Sequence, residues 1–143
     1  MTYAYDEMYL PDVQKNLGFL FQFLLSDMNM SPADAQKAFL DSEIPGQIEI
    51  ANPDILCGKS GYELAMLVLP DKDLEKKIDK ARKAPFYPES EYWAGFVLAY
   101  CQWKNNKSFS EILENYSLAL ILQSYHLLHE ADITKAEEII MRK

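Results

Sequence analysis

The chain is poor in the residues from which reactive centres are most often built. It has two histidines, two cysteines and five glycines in 143 residues. The cysteines, Cys57 and Cys101, have no CxxC spacing, so neither a redox pair nor a zinc knuckle is indicated. Both lie in apolar contexts, where buried free thiols in a reducing compartment are expected; a disulfide between them stays open. Glycine-rich turn pairs and alternating apolar–polar runs are both missing, which argues against a β-sheet. Basic side chains are scarce as well. Fourteen lysines and arginines face 22 aspartates and glutamates, a net charge of −8. Non-specific nucleic-acid binding relies on cations that displace counterions from phosphates, so nucleic acid is not the expected partner. The acidity suits a partner protein with a basic surface, or serves solubility alone. No apolar run is long enough to span a bilayer. Asp6, Glu7 and Asp12 stand where a signal peptide would be basic and then apolar, so a cytoplasmic location is expected.

What the chain does have is apolar and aromatic material. Hydrophobic residues make up 49%, aromatics 13% and charged residues 25%, enough for a packed core and unlike a disordered segment. The length suits one domain, residues 1–143. Within it we expect an N-terminal subregion at 9–70, a charged linker helix at 71–84 and a C-terminal helical subregion at 85–143. Residues 1–8 read as an extended or frayed arm. Val13, Leu17, Leu20, Phe21, Leu24, Leu25 and Met28 form one broad helical stripe over 10–28, and Phe19 and Phe23 widen it. That helix should be central. Ser31-Pro32 caps a second helix and Ser42 a short third one through Ile50; Asn52-Pro53 breaks it, and Pro53 to Cys57 can form one further turn, stopped by Gly58. Ser60 and Glu63 form a capping box for a helix that Pro70 would end. Residues 71–84 carry six basic and four acidic side chains and read as a solvated helix. Ala84-Pro-Phe-Tyr-Pro88 is a rigid break. Helices follow over 89–104, from a second capping box at Ser108 and Glu111, over 117–128, and from Asp132 through 142. The predicted fold class is all-α: a compact single-domain bundle of about seven helices, helix-turn-helix-like in its N-terminal half.

Candidate chemistry is sparse. His126, His129 and Glu130 do not follow the HExxH order, and the two imidazoles suit the end of a helix, where positive charge complements the dipole. Gly58-Lys-Ser-Gly61 looks superficially like a phosphate loop, but it lacks the GxxxxGK[ST] spacing and a preceding strand, and so reads as a tight turn. Residues 31–69 have the layout of a helix-turn-helix module. Its reading helix at 42–50 would contain Glu43, Glu49 and a single good base reader, Gln47, and the segment nets −4 from six acids and two lysines. Carboxylates there would repel phosphates. We therefore expect no catalytic residues, no cofactor and no metal, and do not expect an enzyme.

The remaining feature is a concentration of aromatics: Tyr87, Tyr92, Trp93, Phe96, Tyr100 and Trp103. Such a stripe can be plain core. Alternatively, Tyr92 and Trp103 flank an exposed patch with Tyr87 and Glu91, since tyrosine and tryptophan dominate protein hot spots. Tyr87, Glu91, Tyr92 and Trp103 are the candidate protein-binding residues.

Several motifs in order along the chain carry a resemblance. They are Tyr9-Leu-Pro-Asp-Val-Gln-Lys-Asn-Leu-Gly18, Asn52-Pro53, Gly58-Lys-Ser-Gly-Tyr-Glu-Leu64, Glu91-Tyr-Trp-Ala-Gly95, Leu98-Ala-Tyr100, Gln102-Trp103, Ser108-Phe109 and Leu128-His-Glu-Ala131. With them the sequence resembles a family of small uncharacterised helical proteins of Firmicutes and other gut bacteria. Members are often encoded beside toxin-like proteins, some resembling ADP-ribosyltransferases. The resemblance implies an accessory or antitoxin-like protein and transfers no catalytic residue. The chain departs from the pattern at 43–50, where Glu43, Pro45 and Glu49 replace a glycine and basic residues. The expected function is thus a non-catalytic, antitoxin-like module that neutralises or positions a partner protein, with homo-oligomers left open. The alternatives are a mobile-element-borne inhibitor of a host defence nuclease and a degenerate helix-turn-helix regulator.

Overall fold

The stripe from Val13 to Leu24 forms the axis around which the molecule is built. In the computed structural model, which describes residues 2–69, 71–85 and 87–142, Val13, Leu17, Leu20, Phe21, Phe23 and Leu24 are all buried. They lie on helix α1 (Leu10–Gln22) and on a single π-helical turn (Phe23–Asp27) that continues it. The elements that follow are α2 (Pro32–Asp41), α3 (Ile44–Glu49), α4 (Pro53–Leu56), α5 (Gly61–Val68), α6 (Leu74–Lys83), α7 (Ser90–Asn105), α8 (Phe109–Asn115), α9 (Leu118–Gln123), α10 (Tyr125–Leu128) and α11 (Ile133–Ile140). No strand occurs among the described residues, so the all-α expectation holds.

Among the described residues there are eleven α-helices where about seven were expected, and part of the excess has local causes. The further turn expected after the Asn-Pro break is the one-turn helix α4, which Asn52 caps by accepting from the Asp54 amide. The expected 117–128 helix divides at Ser124. Its hydroxyl donates back to the Leu120 carbonyl at 2.8 Å and lies 2.6 Å from the Tyr116 hydroxyl. Such back-bonding competes with the helical ladder. The serine caps act as read except at Ser42: Glu43 holds the cap position of α3, and Ser42 ends α2, its hydroxyl accepting from the Ile44 amide at 3.3 Å. Ser60 and Glu63 exchange both bonds of a capping box, as do Ser108 and Glu111, and Ser31 and Asp132 cap α2 and α11. Helix α5 ends at Val68; the Pro70 stop lies outside the described residues, as does Phe86 of the expected break.

Helix α1 lies antiparallel to α7. The arm before α1 meets Trp103 near the end of α7, while Gly18 meets Tyr92 near its start. Their backbones approach so closely that a Cβ on Gly95 would collide with the Leu17 carbonyl oxygen. Across α1, an aromatic file of Phe21, Phe39 and Phe109 joins α1 to α2 and α8, with centroids 5.0 and 5.3 Å apart. Each such fully buried ring contributes about 2–3 kcal/mol by leaving water. Side chains from one subregion also cap helices of the other. Glu49 accepts from the Phe109 amide at 2.8 Å, and Gln36 from the Leu118 amide at 2.8 Å. The expected subregions therefore share one core. Helix α6 buries only Leu74 and Ile78, as befits the charged segment.

Two expectations are corrected. The N-terminal arm is pinned, not frayed. Ala4 donates to the Trp103 carbonyl at 2.9 Å, the Trp103 indole donates to the Tyr5 carbonyl at 2.8 Å, and Tyr5 is only 8% exposed. Its partners are almost a hundred residues away, so no local pattern announces them. Of the two free cysteines, Cys101 is buried as expected, but Cys57 is exposed because it follows the single turn of α4 at the surface. Burial pushes the Cys101 thiol far above the ordinary thiol range.

Candidate functional site

The first turn of α7 is the place where the structure gathers what the sequence singled out. Tyr92 projects over Gly18 of α1, whose missing side chain makes room: a Cβ there would lie 2.7 Å from the Tyr92 ring. Phe19, the next residue of α1, meets Tyr92 edge-on, at 5.4 Å and 83°. On its other side Phe19 meets Tyr62 of α5 at 5.7 Å, and Phe96 follows Tyr92 one turn along α7 at 6.2 Å. All four rings are half-buried. They form a continuous row across three helices. At its far end the Arg82 guanidinium of α6 lies 5.4 Å from the Tyr62 ring centre, a cation–π contact. Asn16 anchors α5 beside α1 by donating to the Lys59 carbonyl at 2.8 Å.

Next to this row the π turn opens a polar hollow of about 280 Å³. Gln22, Ser26 and Asp27 line one wall, and Ala81, Ala84, Pro85, Tyr87 and Glu89 the other. The Gln22 side-chain oxygen is buried without a hydrogen-bond partner. Partial burial holds the Asp27 carboxyl above the usual carboxylate range. The hollow and the row adjoin, because Asp27 also helps raise the Tyr62 phenol, after the larger effect of burial; Arg82 opposes that rise. A second groove, of about 200 Å³, runs between α5 and α6 past Tyr62, Met66 and Ile78, with Glu63, Glu75 and Asp79 along it.

Three of the four singled-out residues share this end of the molecule. Tyr87 is 71% exposed at the mouth of the hollow, Tyr92 is in the aromatic row, and Glu91 is half-exposed in the first turn of α7. Trp103 is not with them. It lies eleven residues further along α7, about 16 Å by helical rise, and is 5% exposed. Tyr3 stacks on it at 4.2 Å and the arm covers it. Phe19, Tyr62, Gln22, Ser26, Asp27 and Arg82 escaped notice as site residues. Phe19 gave a faint signal, since it stands off the main stripe of α1. The others reach the site only through tertiary packing.

The other motifs resolve into structure. His129 is the C-cap of α10, with Nδ1 2.7 Å from the Tyr125 carbonyl oxygen and its ring stacked on Tyr125. Gly58 to Gly61 form the turn that feeds the Ser60 cap. Gln47 accepts from the Asn52 amide group at 2.7 Å, and Glu49 caps α8, so the polar side chains of α3 are engaged within the chain. No cluster of three or more potential metal ligands occurs among the described residues, and no helix among them is long and apolar enough to cross a membrane. Comparison with family models, curated proteins and solved structures finds no match to this chain.

Proposed function

We propose that the chain is a non-catalytic protein-binding module of the antitoxin-like kind, which neutralises or positions a basic partner protein through the face at the start of α7. The observation that supports this reading is the row Tyr62, Phe19, Tyr92 and Phe96, only partly buried and set beside a polar hollow. Rings that are already held by packing contribute contact area with little further loss of entropy, which is why aromatic residues act as anchors. The net charge of −8 and the carboxylates at Asp27, Glu63, Glu75, Asp79, Glu89 and Glu91 favour lysine- and arginine-bearing surfaces. Arg82 over Tyr62 is an internal instance of the contact that such a partner would repeat.

The test is capture of a partner from the native host, followed by reconstitution from the two purified proteins. The wild-type chain should form a stoichiometric complex that weakens as salt rises. The Tyr62→Ala/Tyr92→Ala variant, shown by circular dichroism to be folded, should lose it. A folded double variant that binds the reconstituted partner as tightly as wild type would refute this face.

A further inference from the structure

The arm that roofs the C-terminal end of α7 hangs on one side chain. Of residues 2 to 8 only Tyr5 is buried; Ala4 is partly buried and the others are exposed. The hydrogen bonds that tie the arm to α7 meet at a single residue. Ala4 donates to the Trp103 carbonyl, and the Trp103 indole donates to the Tyr5 carbonyl. That Trp103 carbonyl lies in the last turn of α7, among the four that a helix leaves without an amide of its own. Tyr3, 46% exposed, stacks on the indole. Behind the arm the chain is held separately: Asp6 accepts from the Met8 amide and caps a 3-10 turn, Glu7–Tyr9, that leads into α1.

The anchor itself carries a defect. The Tyr5 hydroxyl is shut off from water and has no hydrogen-bond partner in the chain. A buried hydroxyl in that state is destabilising, and the penalty vanishes once the group returns to water. It therefore weighs on the closed arm and not on the open one. The bonds broken on opening are ones that water replaces: two carbonyls, one amide and one indole N–H. The helix pair beneath is locked differently, with the Gly95 backbone seated against Leu17 of α1. We propose that the arm is a strap that opens as a unit, pivoting at Asp6, while the helical core stays folded. Opening turns Trp103 from a core residue into a surface one beside Tyr100, whose ring centre is 5.9 Å from its own. The Tyr5 hydroxyl sets how readily this happens. The strap is independent of the reading of the α7 start.

Hydrogen exchange on the full chain, followed by NMR at low urea concentrations, tests it. After correction for intrinsic rates, the Ala4 amide and the Trp103 indole N–H should share one level of protection, weaker than that of the Leu17 and Leu98 amides in the paired helices. Their exchange should hardly respond to urea, because a strap exposes little surface, while exchange in the paired helices accelerates steeply. Tyr5→Phe keeps the ring and removes the hydroxyl. It should strengthen the protection of both arm protons about tenfold, by relieving the buried-hydroxyl penalty. Three results would each overturn the strap: arm protons that exchange only together with Leu17 and Leu98, arm protons with no protection, or a Tyr5→Phe variant whose arm protection is unchanged or weaker.

Discussion

The two ends of α7 carry the same kinds of side chain and treat them in opposite ways. At the C-terminal end Trp103 is roofed by Tyr3, tied to Tyr5 and flanked by a closed polar cluster. There the buried Glu137 carboxylate accepts from Lys104 at 2.9 Å and from Asn105 at 3.2 Å. At the N-terminal end Tyr92, Tyr62, Phe19 and Phe96 are only partly buried, and one carboxyl of the neighbouring hollow, Asp27, is partly desolvated. The difference lies in the cover. An arm at Tyr3 to Tyr5 closes one end, and no described residue closes the other in that way. An aromatic stripe on a helix thus becomes core or anchor according to what a distant segment does.

The comparison can be broken most forcefully by truncation. Trp103→Ala should cost about 4 kcal/mol of folding stability, because it empties a packed site and leaves the Tyr5 carbonyl without its donor. Tyr92→Ala should cost about 2 kcal/mol, since that residue is less deeply buried than Trp103. Urea denaturation of the two variants checks the order, and equal losses would erase the distinction between the ends. Gly95→Ala tests the helix pair that joins them. Its new methyl group would be driven into the α1 backbone, for a loss of about 3 kcal/mol.

That contrast also shows what could be read from the sequence. The helices could, because each apolar stripe and each serine or aspartate cap is written within a few residues. Ser31, Ser60, Ser108 and Asp132 all cap the helices that they introduce. The grouping of Tyr87, Glu91 and Tyr92 was legible for the same reason: they are neighbours in the chain. Trp103 looked equivalent to Tyr92 because helical spacing places both on one side of α7, and nothing near either residue says that Tyr3 to Tyr5 will fold over one of them. The π turn left no local mark either. It determines where Ser26 and Asp27 point, and with Gln22 and Tyr62 it builds a site from α1, α5 and the linker after α6.

Smaller effects sharpen the picture. Cys57 should react with a thiol reagent in the native protein, while Cys101 should stay protected until denaturant opens the C-terminal half of α7, giving one equivalent and then a second. Two fast thiols would mean that this end is not closed. Asp27 yields the smallest shift. Its carboxyl is raised in the folded state, so ionisation is disfavoured there relative to the unfolded chain. The stability linked to this group is full below the ordinary aspartate range, about pH 4, and is lost as the pH rises through its folded value. Asp27→Asn should therefore raise Tm slightly at pH 7 and leave it unchanged near pH 3, as a binding carboxylate held at the expense of stability would. A lower Tm at pH 7 would show that the fold needs the charge.

The most direct measurement is calorimetric titration of the reconstituted partner against two single variants. Tyr62→Ala, in the open row, should weaken binding at least about tenfold, as a hot-spot anchor does. Trp103→Phe, beneath the arm, should change affinity by less than about twofold. The reverse pattern, with Trp103 governing affinity and Tyr62 indifferent, would contradict the assignment of recognition to the start of α7.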